Sequence, residues 1–264
     1  MPQSVRLTYY NGIAQGVTPQ QIDDAVKQFA QLVTQAGGPV IDLLPVVEIP
    51  EQIAMIVDGR CDIALMNPLG YVFAQRQNAN VVPIAIALRT TALGTEPTYL
   101  SQVYVNVATG ITDVPGLLGR SFGFGSSMST SNFLVPAAEL RNRGVHPLTG
   151  PHTVRYLGHH DQVAQAVYDG VVDAGAGHDG VIDDLSKIHP DAPQKLKRLF
   201  WSTPIPSDPI ASNLTGAELQ QLTTAVVSVG TSLAGKAAIA TFWGTPNGLA
   251  AVQPTAGIKD STVT

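Results

Sequence analysis

Between Pro19 and Ala36, Ile22, Ala25, Val26, Phe29, Leu32 and Val33 recur at helical spacing and fall on one face. Gly37-Gly38-Pro39 ends that period, and Val40 to Val47 then reads as a buried strand. Ile49 to Val57 repeats the helical pattern, followed by a short strand from Asp62 to Leu65 and another from Val81 to Leu88. Gln102 to Val107 alternates as a crossover strand would. Then come a strand at Ser121 to Gly125, a helix ending at Arg143, a strand at Val154 to Leu157, a helix at Gln162 to Tyr168 and an apolar run at Val171 to Ala176. Pro204, Pro206 and Pro209 make Trp201 to Ser212 an extended return segment, and Ala217 to Phe242 reads as helix. Strands alternating with helices predict an α/β chain.

The pattern also echoes itself. Met55 to Ala64 reads MIVDGRCDIA and Ala166 to Gly175 reads AVYDGVVDAG, roughly 110 residues later, too long a period for a solenoid. Each copy is a helix ending at Asp-Gly, where Gly takes the left-handed position, with an Asp three residues on that enters a strand. Two related α/β lobes follow from this, with lobe one at 1–98 plus 208–264 and lobe two at 99–207. A ligand cleft is expected between them. Asp62 and Asp173 are expected to accept local backbone N–H bonds rather than to catalyse.

Composition narrows the class without naming a ligand. A chain of 264 residues with 44% hydrophobic and 13% charged residues builds a large core, and a net charge of −5 disfavours a nucleic-acid backbone as partner. The single Cys61 forms no internal disulfide. No run reaches the roughly 18 apolar residues of a membrane span, and no export signal precedes the first strand. The sequence therefore reads as cytoplasmic, or as the mature form of an exported protein.

Between Ser126 and Ser131, five of six side chains carry a hydroxyl, after a strand and directly before a helix. The first N–H groups of a helix lack internal partners and sit at the positive end of its dipole. Hydroxyls there add donors, so the segment is an expected oxyanion cradle, with Ser129, Thr130 and Ser131 holding the oxygens. Tyr9 and Tyr10, at the end of the first strand, and Asn67, after the strand ending at Leu65, lie where open α/β sheets place ligands, one of the two tyrosines being expected to face the cleft and the other the lobe.

Other chemistries compete. Gly175 to Gly180 is formally GxGxxG, but it sits late in the chain and overlaps the repeat. Gly230 to Lys236 mimics a phosphate-binding loop with Ala237 where the magnesium-binding hydroxyl belongs. All six histidines fall between His146 and His189, without metal-ligand spacing. Ser129, His160 and Asp208 could form a hydrolytic triad, although no G-x-S-x-G elbow is present. No cofactor is implied.

Together these motifs resemble the phosphonate/phosphite-binding proteins of bacterial ABC importers, which are two-lobed periplasmic binding proteins. The resemblance runs from about Val5 to Gly248 and is most specific at Phe122-Gly123 through Ser129-Thr130-Ser131 to Pro136. It extends to Asp62-Ile63-Ala64, Tyr99-Leu100-Ser101, Gly158-His159-His160-Asp161 and Ile205 to Ile210. It implies a two-lobed α/β fold with the ligand between lobes and a non-enzymatic role, a phosphonate, methylphosphonate or phosphite being delivered to a permease. It also implies a monomer in the periplasm or anchored outside the membrane. His160 rather than His159 would face the ligand, Tyr99 would donate a phenol, and Asp208 would meet an amino group where the ligand has one. The chain departs from the family at Asn132, where Gly is common. It also lacks an amine binder's Tyr near Ile49 and Glu near Gly180, leaving Asp179 nearby. An enzyme of the same fold, a Ser-based hydrolase and a metal receptor are the alternatives.

Overall fold

The computed structural model describes residues 4–10, 17–91 and 94–252. Chain order begins with β1 (Val5–Tyr9), α1 (Pro19–Gln35), β2 (Ile41–Leu43), α2 (Ile49–Val57), β3 (Ile63–Leu65), α3 (Pro68–Gln77) and β4 (Val82–Ala87). A hairpin of β5 (Arg89–Thr91) and β6 (Gly94–Glu96) leads to a short strand, β7 (Thr98–Tyr99). The second sheet's elements follow: β8 (Ser101–Asn106), β9 (Ser121–Phe124), a π-type turn (Thr130–Leu134) continuing into α4 (Val135–Asn142), β10 (Thr153–Tyr156), α5 (His160–Tyr168), β11 (Ala174–His178), α6 (Val181–Ser186), α7 (Ala192–Lys195) and β12 (Leu196–Trp201). The chain returns through β13 (Ile205–Pro206) to β14 (Pro209–Ser212), α8 (Gly216–Thr231), α9 (Leu233–Trp243) and β15 (Leu249–Ala251).

Two sheets result. The first is six-stranded in the order β15-β4-β14-β3-β1-β2, and the second is five-stranded in the order β10-β9-β11-β8-β12. Each combines parallel neighbours with antiparallel returns, so each is the mixed sheet of a two-lobed α/β protein. The described chain crosses between them twice, and the crossings pair: Tyr99 lies opposite Ile205 and Thr98 opposite Pro206.

Amphipathic helices seal each sheet. Thr18 opens α1 with a capping box to Gln21, and Ile22, Ala25, Val26, Phe29, Ala30 and Val33 are buried. Each large apolar side chain so buried contributes about 1.5–3 kcal/mol. Phe29 meets Phe242 of α9 edge to face, at 5.7 Å between centroids. The lobe-two core gathers Val103, Phe122, Phe124 and Leu140, with a second layer of Val163, Val167 and Val172 around Tyr104.

The echoed segments take matching places. Asp58 and Asp169 cap α2 and α5, and Gly59 (φ 71°) and Gly170 (φ 73°) follow in the left-handed region. Asp62 accepts the Arg6 N–H at 2.8 Å, and Asp173 accepts the Ser121 N–H at 2.8 Å. Each carboxylate thus caps the start of a neighbouring strand; both accept backbone N–H groups as expected, but from residues distant in sequence instead of local ones.

Two predicted elements are corrected. The expected buried strand from Val40 to Val47 is only Ile41–Leu43, at the sheet's edge, with Val40 and Val46 exposed. Its apolar composition reflects one-sided packing rather than a central position. The expected single helix from Ala217 to Phe242 is two helices meeting at 90°. Ser232 breaks it: its Oγ accepts the Gly235 N–H at 3.0 Å and so caps α9 instead of continuing α8.

Candidate functional site

In the first sheet, β1, β3 and β4 end at the edge where β14 begins, because β14 runs antiparallel to β3 and β4. That edge carries Tyr10, Asn67, Arg89 and Asp208. In the second sheet, β9, β10 and β11 end where β8 begins. There lie Ser101, the Ser126–Ser131 loop, His160 and Asp179. The edges meet: Asn67 Nδ2 donates to Met128 O at 2.8 Å, and the Leu69 N–H donates to Thr130 Oγ1 at 3.1 Å.

The hydroxyl loop divides its labour. Ser126 Oγ accepts the Met128 N–H at 3.2 Å, and Ser129 Oγ accepts the Asn132 N–H at 3.2 Å, capping the helix. Ser126 and Ser127 are exposed, whereas Thr130 and Ser131 are buried. Thr130 Oγ1 accepts from α3, which leaves its proton for an acceptor, and the Tyr99 phenol oxygen lies within its reach. The first turn is widened: the Leu134 N–H reaches back to Ser129 O, and the Val135 N–H to Thr130 O. The N–H groups of Thr130 and Ser131 precede any closed turn and point from its start. Asn132 is 1% exposed with neither side-chain polar atom bonded, and its amide fills the place where a Cβ on Gly125 would stand.

His160 opens α5, and its Nδ1 accepts the His178 N–H at 3.2 Å. That bond fixes the neutral tautomer with the proton on Nε2. Burial, then the neighbouring His178 and Arg89, push its pKa well below 6.5, so it serves as a neutral donor. His178 is held the same way, its Nδ1 accepting the Gly180 N–H at 3.1 Å; burial and the Arg89 charge lower its pKa to about 3. His159 instead gives its N–H to Gln162 Oε1 at 2.9 Å, closing the helix start.

The tail of the site holds an ion pair. Arg89 bonds Asp208 through its guanidinium, donates from Nε to Ser207 Oγ at 3.0 Å, and lies 4.8 Å over the Tyr99 ring. Asp208 thus has its charge partner within the protein. Tyr99 is buried against the Thr130 and Ser131 hydroxyls, and burial and Asp208 raise its pKa, so its phenol keeps its proton. Tyr10 is raised well above 10.0 by burial and by Asp208, while Tyr9 turns into the lobe and bonds Asp23. Asp179 is raised by burial, and its Oδ2 accepts the Leu100 N–H at 3.4 Å.

The structure therefore groups Thr130, Ser131, Tyr99, Tyr10 and Asp208 with Arg89, and His160 and Asp179 feel the Arg89 charge, while the Ser129 hydroxyl is spent on the helix cap. Asn67 differs: its Oδ1 caps α3 by accepting the Gly70 N–H at 2.7 Å and its Nδ2 holds Met128 O, so both ends of its amide are committed. The Ser-His-Asp arrangement is not assembled, since His160 Nδ1 faces a backbone N–H and Asp208 faces Arg89. The GxGxxG segment begins within β11 itself. A Cβ on Gly175 would stand 2.7 Å from Val163 Cγ1, so this glycine lets α5 pack on the sheet. Among the described residues, no three His, Cys, Asp or Glu side chains are grouped to hold a metal. Sequence reasoning missed Arg89 and His178. Arg89 directly follows a predicted strand, the placement that singled out Tyr10 and Asn67.

Two mixed α/β lobes linked by paired crossovers are the fold this chain shares with solved two-lobed binding proteins. The chain belongs to the family described as "ABC transporter, phosphonate, periplasmic substrate-binding protein", whose profile matches residues 12–254. It is 27% identical over 166 residues to the phosphate-import protein PhnD of Mycolicibacterium smegmatis, covering 60% of this chain and 51% of that protein. It is 33% identical over 130 residues to the phosphonates-binding periplasmic protein of Escherichia coli, covering 46% of this chain and 37% of that one. The matches thus span about half or less of these relatives. The fold is shared with PhnD1 from Prochlorococcus marinus, a structure in complex with methylphosphonate. The TM-score is 0.76 at 17% identity, covering 96% of this chain and 94% of that one.

Proposed function

We propose that this chain captures a small phosphorus oxyanion (phosphonate, methylphosphonate or phosphite) and presents it to an ABC-transporter permease. Lobe one, 1–98 plus 208–264, and lobe two, 99–207, close over the ligand by hinge motion at the paired crossovers. The observation that carries this reading is the convergence of the Thr130 and Ser131 hydroxyls on the Tyr99 phenol at the first turn of one helix, with Arg89 over the Tyr99 ring and near enough to act on His160. The ligand's oxygens accept from these groups and from the N–H groups of Thr130 and Ser131. A bond from a neutral donor to a charged acceptor contributes about 1.5–3 kcal/mol, so a few of them hold an anion without a dedicated cation.

The protein acts as a receptor and not as a catalyst. His160 is held as a neutral donor, and its Nδ1 is occupied by a backbone N–H instead of serving as a base for Ser129. It works as a monomer without nucleic acid, outside the cytoplasmic membrane or anchored there. Its family supports that location.

A thermal-shift and calorimetry panel over methylphosphonate, phosphite, phosphate and 2-aminoethylphosphonate tests the reading. A ligand that binds only the native state raises the melting temperature. At least one small oxyanion should bind and be recovered unchanged. Binding of none of them, or release of product, would refute the proposal.

A further inference from the structure

The cleft's carboxylates bear on which oxyanions it accepts, an inference that rests on the receptor reading above. Asp208 and Asp179 are carboxylates placed at the cleft; Asp184, 3.5 Å from His178 Nε2, is already paired with Lys187. Asp179 is bonded at 3.4 Å by the Leu100 N–H, and burial shifts it toward its neutral form. Asp208 is 5% exposed and would on its own be an uncompensated buried charge. Such a carboxylate attracts a cationic tail and repels an anionic head. Arg89 removes both effects, because its guanidinium is tied to Asp208 and steadied by Ser207 Oγ and by the Tyr99 ring.

We propose that Arg89 is the selectivity-determining residue of this cleft: by holding Asp208 it denies a ligand ammonium its counter-charge and so favours oxyanions with uncharged tails. An ammonium entering this cleft sheds water and finds Asp208, the more buried of the two carboxylates, already paired. It must break the Arg89–Asp208 pair or settle for Asp179, which burial disfavours as an anion. Methylphosphonate or phosphite incurs neither cost. The pairing thus works by excluding competitors as much as by attracting the ligand.

The test compares calorimetric affinities for methylphosphonate and 2-aminoethylphosphonate in the wild type, Arg89→Met, Asp208→Asn and the double variant. The wild type should prefer methylphosphonate. Arg89→Met keeps an apolar stem against Tyr99 and frees Asp208, so the ratio should move toward the amine by about tenfold or more, the worth of one charge-assisted bond. Adding Asp208→Asn should cancel that gain. Asp208→Asn alone leaves the guanidinium unpaired, and the ratio should move the opposite way; this arm decides the matter if Arg89→Met does not fold. A ratio unchanged in Asp208→Asn, or in a folded Arg89→Met, overturns the proposal while leaving the receptor reading intact. Failure of the wild type to bind either compound or phosphite overturns both.

Discussion

His160 and His178 each receive a backbone N–H on Nδ1, and each is therefore held neutral by its own fold. Their pKa values lie below the ordinary 6.5 because burial disfavours the charged ring and Arg89 repels it. The unfolded chain consequently binds more protons below pH 6.5, and stability falls as pH drops through that value. The two histidines together should cost up to about 3 kcal/mol per pH unit, read as a falling melting temperature between pH 7 and pH 5. A flat profile that His160→Ala and His178→Ala leave unaltered would contradict the burial argument. For binding, His160→Ala should weaken methylphosphonate by about tenfold because a donor is removed, while His159→Ala leaves it unchanged. Thr130→Ala with Ser131→Ala should cost about two decades or more, since two donors to a charged acceptor disappear together. Unchanged titration curves for that pair would remove the loop from the site. These hydroxyls were legible in the sequence because they are contiguous and sit between a strand and a helix. Arg89 and Asp208 were not recognisable as partners, because they lie 119 positions apart and meet only when β14 inserts between β3 and β4.

Among the elements, the strand-start caps separate folding from binding most cleanly. Asp173 accepts both the N–H and the hydroxyl of Ser121, at 2.8 and 2.7 Å, at the edge of the second sheet away from the cleft. Asp173→Ala should destabilise the protein by about 1–3 kcal/mol by leaving a strand-start N–H unsatisfied. Denaturant unfolding should register that change while calorimetry shows unchanged affinity; a parallel weakening of binding would give Asp173 a role in the cleft. Sequence pattern located α1, α2 and the helix–Asp-Gly–strand repeats, since each carries its own period and stop signal. It overextended β2, because an edge strand packed on one face has the same apolar composition as a central one. It also ran α8 into α9, because the apolar period continues past Ser232 and only the cap geometry shows the break.

At the scale of the whole molecule, two bonds tie the first sheet directly to the hydroxyl loop of the second. Asn67 and Leu69 on one side bond Met128 and Thr130 on the other, although the chain between them passes through the paired crossovers. Asn67→Ala removes a helix cap worth about 1 kcal/mol and also a bond between the lobes. It should therefore lower the melting temperature and speed ligand release, even though the donors that grip the anion all stay in place. Small-angle scattering should show a smaller radius of gyration with methylphosphonate than without it, and Asn67→Ala should reduce the difference. Equal radii with and without ligand would mean that closure is not coupled to capture.

The Arg89–Asp208 pair has one more consequence. Because the cation is matched inside the protein, the donors proposed to hold the anion, Thr130, Ser131 and Tyr99, are dipoles, and they are buried. Mobile ions weaken exposed charge–charge attraction over a Debye length of about 10 Å at 0.1 M but reach buried groups far less. Affinity should therefore hold nearly constant from about 0.1 M to 1 M sodium chloride. Beyond the cytoplasmic membrane, salinity is set by the surroundings, and a receptor built this way scavenges as well in brine as in fresh water.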